Sequence, residues 1–207
     1  MTTISRVRRV NPFKTLYYSI KYKTRILVGW NVSFNLHRNA KIYQKDTNGT
    51  IEIGLDYNSS IKTVVELHDN ANLSFHGDVK IMKGNSIVLY ESAVFSIRGK
   101  SFINEDCKVR VEEELSIGSG CAISWGVTII DSDMHDISID GKEKVRKDKI
   151  NIGDNNLIGC NSIVLKGVKT GSHVIISAGS IVKKSAIGDS TIYSNGENHQ
   201  KVKILWT

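Results

Sequence analysis

From Ile152 onward the chain repeats itself every six residues. The run reads IGDNNL, IGCNSI, VLKGVK, TGSHVI, ISAGSI and then Val182. The first position of each unit is Ile152, Ile158, Val164, Thr170, Ile176 and Val182, and the fifth is Asn156, Ser162, Val168, Val174 and Ser180. The same phrase occurs earlier as IGSGCA and ISWGVT from Ile117 to Thr128. It is weaker but legible at Leu67, Leu73 and Val79, and at Ile97, Ile103, Val109 and Leu115. A helix of 3.6 residues per turn would rotate such positions around its axis, whereas short strands with a period of two keep them on one side. Three six-residue sides close a triangular coil of 18 residues. The aliphatic first position points inward, the small fifth fits beside it, and Gly or Asn takes the corner, where φ > 0 is needed. Stacked at about 4.8 Å per rung, roughly seven such coils make a rod about 33 Å long. An ordinary sandwich would instead show turn signals every 8–12 residues, without a lock on six.

The composition agrees with this reading. There are 17 Gly against a single Pro (Pro12), and only 7% of residues are aromatic, which suits many tight corners around an Ile/Val core. No stretch reaches the roughly 20 apolar residues of a spanning helix. The apolar piece from Thr15 to Ile20 is too short for a signal-peptide core, so the expected location is cytoplasmic. Cys107, Cys121 and Cys160 form no CxxC pair and indicate neither a disulfide framework nor a zinc ribbon.

Charge and phase divide the chain further. Residues 1–45 hold ten Lys/Arg and no Asp or Glu, and are read as a basic N-terminal extension. Residues 46–190 are read as the prism and 191–207 as a tail. The basic segment, absent any nucleic-acid-binding pattern, points to peripheral contact with an anionic membrane face or to a pyrophosphate-bearing acceptor. The alternative is a solvated segment packed on the body through Tyr17, Tyr18 and Tyr22. Between Ile129 and Ile152 the repeat loses phase, since 23 residues are not a multiple of six. A highly charged segment between Asp131 and Lys149 must therefore leave the prism as a surface loop, with His135 at its departure.

At these residues the sequence resembles the hexapeptide-repeat acyltransferases, which fold as left-handed parallel β-helices. The hand comes from the resemblance, as an exception to the usual crossover rule. The phrase SWGVTIIDSDMHDI (Ser124 to Ile137), followed by INIGDNNLIGCNSIVLKGV, is similar to the O-acetyltransferases of bacterial capsule and O-antigen synthesis. So is NPFKTLYYSIKYK (Asn11 to Lys23). The resemblance implies acetyl-CoA as acyl donor, a sugar hydroxyl as acceptor, no metal, and a homotrimer with active sites between neighbouring prisms. It implies direct transfer with His135 as general base, a task that suits an imidazole titrating near neutrality. Asp133 or Asp131 would orient the ring. By motif, Cys160, Ala178 and Gly179 would line the CoA path, Lys166, Lys183 and Lys184 would meet its phosphates, and Trp125 would form a stacking platform for the sugar. Two departures stand out: Leu157 replaces a Trp common in relatives, and SNGENHQKVKIL (Ser194 to Leu205) replaces a proline-containing tail segment. The rival readings are N-acetylation of an amino sugar, a non-catalytic β-helix scaffold, and a zinc site of the carbonic-anhydrase type. The last would need three converging histidines, which the spacings of His68, His76 and His173 do not resemble.

Overall fold

The computed structural model describes residues 9–45, 49–55, 60–183, 186–195 and 197–200. Short strands follow one another around three walls and return to the first wall one rung further along. The first wall runs from Ile26–Val28 through Ile51–Ile53, Val79–Ile81 and Ser101–Ile103 to Thr191–Ser194. The second runs from Val32–Leu36 to Ile181–Val182, and the third from Lys41–Gln44 to Ala186–Ile187. Every pairing between successive rungs is parallel. The exception is the last strand of the first wall, Glu197–Gln200, which folds back antiparallel on Thr191–Ser194. The architecture is a left-handed parallel β-helix, with the three-walled prism that the hexads foretell and the hand that the resemblance implies.

Inward side chains stack in ladders along the axis. On the first wall Val28, Ile53, Ile81, Ile103, Ile123, Ile158, Ile176 and Tyr193 sit in register one above the next. On the second, Val65, Ile87, Val109, Ile129, Val164 and Val182 do the same. All are buried, and each contributes on the order of 1.5–3 kcal/mol by leaving water. The hexad's fifth position is buried too, from Asn156 to Ser180. There Asn156 satisfies both ends of its amide: Nδ2 donates to Thr170 Oγ1 (2.7 Å) and Gly171 O (2.9 Å), and Oδ1 accepts from Val174 N (2.6 Å). A buried amide so completed costs little and fixes the corner.

The 18-residue coil holds only near the C-terminal end, where Ile158 pairs with Ile176 and Val164 with Val182. Upstream the step is 20 residues, from Ile103 to Ile123, or 22, from Ile81 to Ile103. Strands there reach five residues, as in Thr63–Leu67 and Val94–Arg98, so longer sides replace strict hexads and blur the period. The prism also begins at Ile26, inside the segment delimited by its charge. Arg38, Lys41 and Lys45 are exposed at the turns and strand ends of coils whose inward positions, such as Val28 and Ile42, are aliphatic and buried. Net charge cannot see that alternation.

Ahead of the coils, among the described residues, lies the helix Pro12–Tyr22. Asn11 caps it, its side-chain oxygen accepting from Lys14 N (3.0 Å), and Pro12 occupies the first turn, where no amide donor is needed. Lys23, in the left-handed conformation, ends it. Tyr18 and Tyr22 pack on the prism, with the Tyr18 ring 4.2 Å from that of Phe34.

Candidate active site

The segment that breaks the repeat is a β-hairpin rooted at the corner between the second and third walls. Its first residue, Asp131, is 1% exposed. Its carboxylate accepts from the backbone amides of Glu112 (2.7 Å), Glu113 (2.8 Å) and Glu114 (3.0 Å) on the coil below. Burial pushes the Asp131 carboxyl up while those three donors pull it down. The outgoing and returning legs then pair: Asp133 N donates to Arg146 O (2.9 Å), Asp148 N to Asp131 O (2.9 Å), and Ser132 bridges Lys147. At the tip, Ser138–Ile139 pairs with Lys142–Glu143 across Asp140-Gly141, both with positive φ (52° and 73°). Asp-Gly at a two-residue loop is the sequence that such a turn demands.

A second tether reaches up from the coil below. The Glu112 side chain, 10% exposed, meets Arg146 Nη2 and Nε (3.1 Å to the latter) and accepts the Ser132 hydroxyl. Burial raises the Glu112 carboxyl, but Arg146, Ser132 and Lys147 outweigh it and hold it below its usual range. From the coil above, Lys166 closes the clamp. Its Nζ contacts the Asp133 carboxylate and donates to Val145 O (2.5 Å) and Arg146 O (3.4 Å). The hairpin is thus gripped on both sides by the prism that it leaves.

His135 stands on this hairpin, exposed to solvent, just after Met134, whose φ is 62° and whose N–H donates to Ser132 Oγ (2.9 Å). Among the described residues the imidazole has no hydrogen bond or ion pair. Both carboxylates considered as its orienting partner are engaged elsewhere: Asp131 with three amides, Asp133 with Lys166.

Across the second wall, at its corner with the first, four of the sequence-nominated residues lie on successive coils. Trp125, 55% exposed, accepts from Asn161 N through its carbonyl (3.0 Å), and Cys160 O accepts from Gly179 N (2.8 Å), next to Ala178. The coils approach so closely here that a Cβ on Gly159 would sit 2.4 Å from Ala178 N. Between the two corners the outer surface is aliphatic: Thr128, Ile163 and Ile181 stack in one column, Ile130 and Leu165 in the next. Three residues of strand, about 10 Å, separate the His135 corner from the Trp125 corner. Lys183 is exposed one residue past the strand Ile181–Val182, and Lys184 lies outside the described residues.

Two of the cysteines offer no activated thiolate. Cys107 and Cys121 are buried, and burial drives the Cys107 thiol up to about 11 and raises Cys121 as well. Among the other histidines, His37 pairs with Asp69 (2.9 Å) and His68 with Glu66 (2.9 Å), each on its own corner. The sequence reading missed the Glu112–Arg146 tether and the hairpin. The signals were present in Asp140-Gly141 and in the acidic triplet Glu112 to Glu114, opposite a loop rich in Lys and Arg.

No family model matches the chain. It is 27% identical over 152 residues to an "Uncharacterized 24.8 kDa protein in cps region" of Klebsiella pneumoniae, covering 70% of this chain and 64% of that protein. It is 31% identical over 95 residues to the Bacillus subtilis protein named "Putative acetyltransferase YvoF", covering 46% and 49% respectively. The chain therefore spans less than two thirds of the length of either relative. Among solved structures it superposes on the polysialic acid O-acetyltransferase OatWY with a TM-score of 0.61 at 21% identity, over 86% of this chain and 88% of that one. The fold is that of the hexapeptide-repeat acetyltransferases. The hairpin, the aliphatic strip and the Trp125–Cys160–Gly179 corner adjoin one another along the second wall.

Proposed function

We propose that this chain is an O-acetyltransferase that moves acetyl from acetyl-CoA to a hydroxyl of a surface polysaccharide or its precursor. The observation that carries the reading is a free, exposed imidazole on a hairpin clamped to two coils, at one edge of an aliphatic strip. Unpaired, His135 keeps a ring nitrogen available to take the sugar hydroxyl's proton as its oxygen attacks the thioester carbon. The tetrahedral oxyanion then collapses, the C–S bond breaks, and the imidazolium returns its proton to the departing thiolate. A backbone N–H would meet the oxyanion. Ile163, Leu165 and Ile181 suit the apolar arm of CoA, and the Cys160, Ala178 and Gly179 corner suits its amides. Lys183 and Lys184 would meet its phosphates. Lys166, already committed to Asp133, holds the hairpin in this reading, and Asp133 acts on His135 by fixing that leg in place.

Assembly as a homotrimer belongs to the same proposal. Outward apolar side chains continue on the first wall, where Phe102, Ala122, Leu157, Ile175 and Ile192 stack in register, a face that a neighbouring prism would cover. Sedimentation at equilibrium checks this; a monomer at micromolar concentration would refute it. The activity is tested by incubating the protein with labelled acetyl-CoA and a panel of hydroxyl- and amino-bearing glycans. Transfer to a hydroxyl acceptor should fall by about 10²-fold or more in His135→Ala, with an unchanged circular dichroism spectrum. Retained turnover in that variant, or transfer to amines alone, would overturn the assignment.

A further inference from the structure

The helix Pro12–Tyr22 carries its apolar face outward. Thr15, Tyr18, Ser19 and Tyr22, spaced three and four apart, are its inner side. Thr15 Oγ1 accepts from Val28 N (2.9 Å), Ser19 Oγ donates to Ile26 O (3.2 Å), and the two tyrosines pack on the prism. That leaves Phe13, Leu16, Tyr17 and Ile20, again three and four apart, on the opposite side at 81%, 62%, 57% and 68% exposure. No residue of the helix is buried. Trp30, whose carbonyl accepts from Lys14 Nζ (3.0 Å), adds another exposed aromatic at the same end of the prism. A stripe of this kind left in water is unfavourable and marks an interaction surface.

Its surroundings say which kind. Lys21, Lys23 and Arg25 flank the stripe, the helix has no acidic residue in its first turn, and residues 1–45 contain ten Lys/Arg and no Asp or Glu. We infer that the helix lies flat on an anionic lipid surface, with Phe13, Leu16, Tyr17 and Ile20 sunk to the acyl boundary and the cations among the headgroups. Apolar area and positive charge act together in such binding, and amphipathic rings such as Tyr17 and Trp30 favour that interface. A second copy of the same stripe would bring like charges face to face. No helix among the described residues is long and apolar enough to cross a membrane, so the contact is in-plane.

The test is co-sedimentation of the full chain with vesicles of phosphatidylcholine alone or mixed with phosphatidylglycerol. Binding should require phosphatidylglycerol and weaken as salt is added. It should fall about tenfold or more in Leu16→Ser/Ile20→Ser and also in Lys21→Gln/Lys23→Gln. Thermal melting of the serine variant should match the parent, because both side chains are already exposed. Equal binding to both lipids, or undiminished binding by the serine variant, would overturn the inference. So would a parent that ignores vesicles but self-associates through the stripe, shown by a smaller particle for the serine variant in light scattering. None of these outcomes depends on acetyl transfer.

Discussion

Glu112 tethers the hairpin that carries His135, and it does so from a coil twenty residues upstream. Its carboxyl is held below the ordinary value chiefly because Arg146 and Ser132 overcome the cost of its burial. A folded-state value below the unfolded one means that the tether is complete above the unfolded value, about 4.3. It is lost as pH falls through the folded value. The protection of amides in residues 133–148, corrected for the intrinsic exchange rate, should therefore be full at pH 6 and fall once acidification passes below the ordinary glutamate range, while the coils remain protected. In Glu112→Gln the same amides should be about tenfold less protected already at neutral pH, and that difference from the parent should shrink on acidification as the parent loses its own tether. Unaltered exchange in the variant would mean that Asp131 and Lys166 suffice. The site is only half legible in the sequence. His135 and its DSDMHD setting announce themselves, and so does the departure from six. Glu112 does not, because its partners Ser132 and Arg146 are joined to it by the coil's return path and not by any local pattern.

At the level of strands and corners, legibility follows the regularity of the side chains. Ile152 to Val182 repeat so strictly because two- and three-residue strands leave space for one inward aliphatic and one small neighbour per wall. Upstream, five-residue strands such as Asn72–His76 allow extra inward positions, among them Leu73 and Phe75, and the period dissolves into ordinary alternation. The corners are equally exacting. Gly159→Ala would drive a methyl group into the Ala178 amide, so the two coils must part. A loss of about 1–3 kcal/mol is expected, the usual cost of forcing atoms into a packed site, read as a lower midpoint in urea. By the proposed function, KM for acetyl-CoA should rise in the same variant. A stable variant with native KM would show that the corner's closeness is incidental.

For the molecule as a whole, a coil touches only the coils before and after it, so stability is a sum of neighbouring terms. Removing one inward side chain should then loosen one end without melting the other. Ile158→Ala, in the middle of the first-wall ladder, is expected to cost about 2–5 kcal/mol and to split urea unfolding into two stages. Trp125 fluorescence should change in the earlier stage, with much of the β-sheet ellipticity lost in the later one. A single coincident transition would instead show that the prism melts as one unit.

A stack of parallel rungs has no internal reason to stop. Each terminal strand offers a row of unpaired amides and carbonyls on which another strand can crystallise. On the first wall that row is taken by the chain itself, since Glu197–Gln200 doubles back against Thr191–Ser194. Running the opposite way, it presents the wrong polarity for continuing the column. The short return strand therefore acts as a full stop, keeping a rod-shaped protein from growing end to end into a fibre.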